Sequence, residues 1–313
     1  MTVLILEPLE ADVVQWLAER HDARFAPELV GDADALAAAL THARALVAPP
    51  QVRIDAELLR GARQLRAIGR ASGGSENIDV EACRQAGVEV VRSQASTASA
   101  EAEFAIGALL SLLRRLPVEG SDGLRVGREL GCSTVGLLGL TPAARVIAQL
   151  LQAFGTRVIG YDPGCHPSDT IWARWGIEAV GLQELVQHSD GLVVLLPYFD
   201  RFRGLLGARQ LEQVRSGQVW VVLSQSGLVD EAALARALRG GQVLAAWFDC
   251  LEPGWLEVGQ PLYGLGNVQV TPRLAGTTRE SRVRAAWAVA RAIDELLAQA
   301  APGQAARKRA VAY

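Results

Sequence analysis

The sequence is poor in the residues and runs that mark several classes of protein. Its four cysteines (Cys83, Cys132, Cys165 and Cys250) are scattered and form no Cys-x-x-Cys pair. This spacing argues against both a zinc site and a disulfide framework, so we expect no metal. No apolar stretch approaches the roughly 20 residues that cross a bilayer, so we expect no membrane contact. The first apolar run is too short for a signal peptide, which makes a reducing cytoplasm the expected location.

The sequence also lacks a large excess of positive or negative charge. The chain carries 31 Lys and Arg residues against 34 Asp and Glu residues, a formal charge of −3. This balance gives no general attraction to nucleic acid, so no nucleic-acid partner is expected. Hydrophobic residues make up 50% of the chain and charged residues 21%, which is ordinary for a globular protein. A length of 313 residues suits two domains.

What the chain does contain is an alternation of short apolar runs and amphipathic stretches, almost from end to end. Strands are predicted at residues 3–6, 45–48, 65–69, 88–91, 135–138, 157–161, 191–196, 218–223, 243–248 and 268–270. Long helices are predicted over 96–115 and 278–300, a Gly-rich crossing loop over 117–128, and helix N-caps at Asp55, Asp79 and Asp230. Such β-α alternation predicts the α/β class, with parallel sheets covered on both faces.

One segment has the features of a dinucleotide-binding loop. A strand ends at Gly139, a helix begins at Pro142, and a second strand ends at Asp162. Strand, turn, helix, strand and terminal acid form the context of a Rossmann nucleotide site. Gly139 suits the tight turn, and Ala144 is accepted at the third glycine position. Thr141 stands at the second position, where glycine normally lets the backbone approach the pyrophosphate.

Thr141 leaves the ligand of this loop open. Its hydroxyl and Pro142 make a good helix start, and the hydroxyl would satisfy an amide that otherwise points at phosphate. The loop therefore binds a dinucleotide weakly, or in a shifted pose, or it is only a helix packed on a sheet. Asp162 favours binding because it can hold a ribose diol, and no arginine follows it to receive a 2′-phosphate, which favours NAD over NADP. The predicted cofactor contacts are Gly139, Thr141, Pro142, Ala143, Asp162 and Pro197.

Further segments carry a resemblance to a known family. They are residues 68–79, 112–115, 189–190 with 196–197, 227–231, Asp249, and 271–272 with 275–277. Through them nearly the whole chain resembles the D-isomer-specific 2-hydroxyacid dehydrogenases. The resemblance implies two doubly wound parallel-sheet domains: a Rossmann-type cofactor domain over 98–280 and a flavodoxin-like substrate domain made of 1–97 and 281–313. It also implies NAD, with Asp249 near it, and hydride exchange at C2 of a 2-hydroxy or 2-keto acid.

The family's assembly is a further expectation. A helical excursion supports a dimer in the family, and the corresponding segment here, between residues 115 and 127, is shorter than usual. A homodimer remains the expected assembly, since twofold dimers are the commonest oligomers of soluble proteins.

The chain departs from the family at the three side chains that carry its chemistry. Gln225 replaces the arginine that grips the substrate carboxylate, and Arg273 replaces the histidine that gives or takes the proton. The carboxylate that supports this histidine falls on Gly254 by register, or on Glu252 if a short gap is allowed. An arginine stays protonated, so Arg273 cannot donate a proton near neutral pH. The histidines of the chain are predicted to be surface residues elsewhere: His21, His42, His166 and His188.

Arg273 still supplies a positive charge. It can bind a small anionic molecule in a cleft between the two domains, or it is a surface residue, or it pairs with Glu252. The substrate-type loop would contribute contacts through Arg70, Ala71, Ser72, Gly73 and Gly74. Three functions stay open: an enzyme redirected to a non-redox or specialised biosynthetic reaction, a catalytically inactive nucleotide- or partner-binding regulator, and an NAD-dependent reductase with an unusual proton donor such as Tyr198, Glu252 or water.

Overall fold

The structure is a computed structural model that describes residues 2–72, 77–115, 117–119 and 121–299. The chain divides into two units, Met1–Thr97 with Arg279–Tyr313, and Ala98–Thr278. The predicted α/β class with two parallel sheets is confirmed.

The bounds of the strands and helices follow chain order. The strands are β1 (Val3–Ile5), β2 (Ala23–Phe25), β3 (Ala45–Val47), β4 (Ala67–Arg70), β5 (Glu89–Arg92), β6 (Val118–Glu119), β7 (Arg125–Val126), β8 (Thr134–Leu138), β9 (Arg157–Tyr161), β10 (Glu178–Ala179), β11 (Gly191–Val194), β12 (Gln218–Val222), β13 (Val243–Phe248) and β14 (Val268–Val270). The helices are α1 (Ala11–Arg20), α2 (Ala33–Leu40), α3 (Ala56–Gly61), α4 (Val80–Gln85), α5 (Gln94–Arg115), α6 (Pro142–Ala153), α7 (Thr170–Trp175), α8 (Leu182–His188), α9 (Ala208–Leu211), α10 (Glu231–Arg239) and α11 (Arg279–Gln299).

The first unit is built on a parallel sheet in the order β2-β1-β3-β4-β5, which is the flavodoxin-like order. Apolar side chains of α1 and α11 cover one face of this sheet, and those of α2, α3 and α4 cover the other. Helix α11 approaches β4 closely because Gly69 has no side chain: a Cβ there would lie 2.4 Å from Val289 Cγ1. The interior strands are therefore buried on both faces and appear in the sequence as short apolar runs.

The second unit is built on a parallel sheet in the order β10-β9-β8-β11-β12-β13-β14, which contains the Rossmann order with one further strand. Helices α5, α6 and α7 contribute to the core on one face, and α8, α9 and α10 to the core on the other. The strand order reverses between β8 and β11. Ligands of open α/β sheets bind beyond the carboxyl ends of the strands at such a switch point.

The local predictions mostly hold. The N-caps Asp55, Asp79 and Asp230 are confirmed, since each carboxylate accepts a backbone N–H in the first turn of its helix. The crossing loop predicted over 117–128 contains a short antiparallel pair, β6 with β7, that the sequence did not indicate. Strands β2 and β10 were not predicted. They are edge strands of two or three residues and, being partly or fully exposed, lack the apolar run that marked the interior strands.

Candidate functional site

The nucleotide-type loop lies at the carboxyl end of β8, beside the switch point. Gly139 adopts φ +103°, a conformation that side chains other than glycine rarely adopt. A Cβ at this position would lie 2.6 Å from both the Cα and the N of Leu196, which follows β11. Glycine is therefore required here for two reasons, the backbone conformation and the close approach of the two strand ends.

The helix after this loop begins as predicted. Thr141 is the N-cap of α6, its Oγ1 accepts the N–H of Ala144 at 3.3 Å, and Pro142 occupies the first helical position. Pro142 has no N–H to offer. Of the first three helical residues, Ala143 alone keeps a backbone N–H without a protein acceptor in the described part of the chain. These three residues thus retain one such donor for an anion, fewer than a helix start without Thr141 and Pro142 would offer.

Asp162 connects this loop to the turn that follows β9. Its Oδ2 accepts the N–H of Leu140 at 2.7 Å, and its Oδ1 accepts the N–H of Gly164 at 2.7 Å. The carboxylate is half-buried, and each oxygen keeps a second lone pair. Asp162 can therefore accept from ribose hydroxyls while it holds the loop. Pro197, the last predicted contact, is exposed directly after Leu196.

Asp249 organises the turn that carries Arg273. The carboxylate is 6% exposed, and it accepts hydrogen bonds from Thr271 Oγ1 at 2.7 Å, Leu274 N at 2.8 Å and Ala275 N at 2.9 Å. Its backbone carbonyl accepts the N–H of Arg273 at 2.6 Å. These contacts show that the Asp249 carboxylate stabilises the turn after β14. A contact between Asp249 and NAD stays a prediction.

Arg273 lies at the surface in an uncommon backbone conformation. Among the described residues it is the one non-glycine with positive φ, at 56°. Its side chain is exposed, and its Nε lies 3.3 Å from Cys250 Sγ. The structure thus places a guanidinium at the turn after β14, next to the end of β13.

Gln225 and Glu252 lie on neighbouring turns. Gln225 is half-buried and precedes the 3₁₀ turn Ser226–Leu228 after β12. Ser226 Oγ accepts the N–H of Glu252 at 2.8 Å, which fixes the coil after β13 against this turn. A Cβ on Gly227 would lie 2.6 Å from Glu252 Oε1 and 3.0 Å from the ring of Tyr198. The three predicted catalytic positions therefore all lie at the carboxyl ends of β12, β13 and β14.

Tyr198 and Arg203 complete this group. Arg203 Nη1 lies 3.7 Å from Glu252 Oε2, and its Cζ lies 5.3 Å from the centre of the Tyr198 ring. The Tyr198 hydroxyl donates to Asp200 Oδ1 at 3.0 Å. Partial removal from water, followed by this hydrogen bond, raises the pKa of Tyr198 above its ordinary value, although the charge of Arg203 opposes the shift. Tyr198 is therefore a weaker acid than an ordinary tyrosine.

The substrate-type loop belongs to the first unit. Arg70 is 2% exposed, and its guanidinium donates to the carbonyls of Ala48 at 3.1 Å and Ser72 at 3.2 Å. The N–H groups of Ala71 and Ser72 donate to the buried carboxylate of Glu7 at 3.1 and 2.8 Å. The side chain of Arg70 and the N–H groups of Ala71 and Ser72 therefore stabilise the loop itself. That these residues bind a substrate stays a prediction. Gly73 and Gly74 lie outside the described residues.

The contacts of His21, His166 and His188 lie within their own units. His21 bonds to Asp294 at 2.8 Å and His166 to Ser168 at 2.8 Å, His188 lies 3.8 Å from Glu184, and His42 is exposed. No cluster of three or more His, Cys, Asp or Glu side chains in the described residues could hold a metal ion. In the same residues, no helix combines the length and apolar character needed to span a membrane.

Sequence reasoning missed four side chains of these loops: Glu7, Arg203, Asp200 and Cys250 as the neighbour of Arg273. The position of Glu7, a carboxylate two residues after the buried strand β1, was the one signal for it in the sequence. The other three have no motif or spacing that identifies them, because tertiary contacts alone bring them to the strand ends.

A Rossmann sheet with a glycine turn, a capped helix and a terminal acid at the switch point defines a dinucleotide-binding protein. Residues 114–275 match the family model of the D-isomer specific 2-hydroxyacid dehydrogenase, NAD binding domain. The chain belongs to this family, as the resemblance predicted, and NAD is the cofactor of the matched domain. The turn at Gly139, which a Cβ would fill, and the carboxylate of Asp162 fit this cofactor.

Relatives support the same assignment over nearly the whole chain. The chain is 35% identical to the D-3-phosphoglycerate dehydrogenase of Mycobacterium bovis, over 95% of this chain and 57% of that protein. It is 31% identical to the (S)-sulfolactate dehydrogenase of Chromohalobacter salexigens, over 91% of this chain and 94% of that protein. The solved structure of a Thermus thermophilus protein superposes with a TM-score of 0.75 at 26% identity, over 95% and 97% of the two chains. The chain thus spans little more than half of the phosphoglycerate enzyme.

Proposed function

We propose that this protein binds NAD but has lost the ordinary hydride transfer of its family, and that it now acts on, or responds to, a small anionic molecule. The observation that carries the proposal is Arg273, whose guanidinium stands where the family resemblance requires an imidazole. A guanidinium keeps its proton at neutral pH, so it cannot serve as the acid or base for the substrate hydroxyl. The loss of a positioned acid removes roughly 10²–10⁴-fold in rate.

Gln225 supports the same conclusion. In the family, NAD supplies or receives a hydride at C2 of the substrate, and an arginine at this position holds the substrate carboxylate. A glutamine amide can donate to one carboxylate oxygen but cannot neutralise its charge or bind both oxygens as a guanidinium fork does. The chain therefore lacks both the proton carrier and the carboxylate clamp at their inherited positions.

Three experiments test the proposal. Titration with NADH, followed by nicotinamide fluorescence, should show binding. Incubation of the protein with NADH and a panel of 2-keto acids (glyoxylate, pyruvate and hydroxypyruvate) should give no NADH consumption above background. The double variant Gln225→Arg with Arg273→His should consume NADH faster than either single variant, which serve as the matched controls. Rapid turnover by the unaltered protein would contradict the proposal, and absence of NADH binding would remove its first half.

A reductase with an unusual proton donor is the second candidate. Tyr198 is poorly suited to donate, since its hydroxyl already bonds to Asp200 and its pKa is raised. Glu252 is better placed, because its side chain is 33% exposed to solvent and lies against the turn that follows Gln225. Glu252→Gln should abolish any residual NADH consumption if Glu252 carries the proton. A fall in NADH binding instead would indicate a structural role.

A further inference from the structure

Arg203 has the features of an anion receptor. Its backbone is fixed on both sides: Arg203 N donates to Asp200 O at 3.1 Å, and Gly204 N donates to Gly227 O at 2.9 Å. Its guanidinium carbon lies 5.3 Å from the centre of the Tyr198 ring, within the range of a cation–π contact. The planar guanidinium holds its N–H donors in a fixed fork, so less freedom is lost for each hydrogen bond formed to an anion.

The N–H donors of Arg203 are not used inside the described part of the chain. The only charged partner of the guanidinium there is Glu252, at 3.7 Å, which is beyond hydrogen-bond distance. The Arg203 side chain is 60% exposed, and an exposed pair of this length contributes little to stability. Asp200 is the other carboxylate in this group, and it accepts the hydroxyl of Tyr198. A bidentate carboxylate ligand would therefore replace a weak contact with a stronger one.

Arg203 also lies close to the position that has lost its arginine. Gly227 lies two residues after Gln225, and a Cβ placed on Gly227 would be 2.6 Å from Glu252 Oε1. The same Glu252 carboxylate contacts Arg203 through its other oxygen. Arg273, the second nearby cation, contacts Cys250 through its Nε, so the two guanidiniums adjoin the same short segment after β13. We propose that Arg203 binds the carboxylate of a small carboxylic-acid ligand, the task that Gln225 cannot perform.

This inference rests on the proposed anionic ligand, and the experiment separates the two. Oxalate is the probe, titrated calorimetrically into the protein with and without saturating NADH. Arg203→Gln should weaken oxalate binding about 10- to 100-fold, since one or two charged hydrogen bonds are lost, while NADH affinity stays unchanged. Arg201→Gln is the matched control: Arg201 lies two residues away and stacks on Phe199 and Phe202, and its loss should change oxalate affinity less than about twofold.

Two more variants protect the test against misfolding. Arg203→Lys keeps the charge but not the fork, so it should retain part of the affinity. Glu252→Gln removes the competing carboxylate and should tighten oxalate binding severalfold. Unchanged oxalate affinity in Arg203→Gln, or no oxalate binding by the unaltered protein, overturns the assignment of Arg203 even when NADH binds. The assignment is also overturned if Arg273→Gln loses oxalate binding while Arg203→Gln keeps it, because the anion site would then be Arg273. Failure of NADH to bind refutes the cofactor half of the proposed function alone.

Discussion

Replacement of Gly139 by alanine tests whether the nucleotide-type loop has the geometry described above. Two costs are expected. Alanine at φ +103° adopts a conformation that costs about 1–2 kcal/mol. The new Cβ would also lie 2.6 Å from backbone atoms of Leu196, which cannot move as a flexible side chain could, and overpacking of this kind costs about 1–3 kcal/mol. The total destabilisation expected for Gly139→Ala is about 2–5 kcal/mol.

Gly155 offers a matched control in the same unit. It also has positive φ, +82°, but no heavy atom lies within 4 Å of a Cβ placed there. Gly155→Ala should therefore show the conformational cost alone. For a unit of this size a change of 1 kcal/mol shifts the melting temperature by about 2–4 °C, so Gly155→Ala should melt about 2–8 °C lower. Gly139→Ala should melt lower still, by an additional 2–12 °C or so.

The functional outcome separates the two variants further. Displacement of Leu196 and the loop should reduce NADH affinity in Gly139→Ala, because Gly139 forms the tight turn of the predicted nucleotide loop. Gly155→Ala should bind NADH as the unaltered protein does. The measurements are differential scanning calorimetry and NADH fluorescence. Equal melting temperatures for the two variants, or unchanged NADH affinity in Gly139→Ala, would refute the reasoning.

Three other changes have distinct expected outcomes. Asp249→Asn places an amide NH₂ against a buried backbone N–H, that of Ala275 if the asparagine oxygen keeps the bonds of Oδ1. The variant should lower the free energy of unfolding of the second unit by about 1–3 kcal/mol in a denaturant titration. An effect no larger than that of an exposed Asp→Asn change would contradict the role of Asp249. Thr141→Gly should cost only a few tenths of a kcal/mol yet tighten NADH binding severalfold by fluorescence, whereas unchanged affinity would show that the threonine does not obstruct the loop. Burial raises the pKa of Glu231 above its ordinary value, with the N–H of Leu262 opposing and Asp230 adding to the shift. The stability that its protonated form provides is lost as pH rises through this raised pKa, so Glu231→Gln should raise the melting temperature at pH 7–8, and the difference should vanish below about pH 4.

Much of the fold could be predicted because the interior strands are buried on both faces. A strand such as β11 or β12 is apolar at almost every position, which makes it visible as a run in the sequence. The edge strands β2 and β10 and the β6–β7 pair could not be found this way. Arg125 and Val126 in β7 are exposed, so this strand is defined by its hydrogen bonds to β6 and not by a pattern of burial.

The candidate site could be predicted only where a motif fixes the position of a residue. Gln225 and Arg273 were located because each has a fixed spacing from recognisable neighbours, Asp230 in one case and Thr271 in the other. Arg203 has no such spacing. The role proposed for Arg203 rests on three contacts, with Tyr198, Glu252 and the turn at Gly227, and each of them belongs to a different strand end.

The backbone of the turn at Arg273 bears on how a reactivation experiment can be interpreted. The left-handed conformation of Arg273, φ 56°, costs about 1–2 kcal/mol. Asp249 supplies three hydrogen bonds to the flanking residues of the turn, and bonds to a charged group contribute about 1.5–3 kcal/mol each. The shape of the turn is therefore set by Asp249 and does not depend on which side chain occupies position 273. Histidine is among the residues enriched at positive φ, so Arg273→His should keep the turn intact. Any change in NADH turnover by that variant then reports the chemistry of the imidazole and not a rearrangement of the loop.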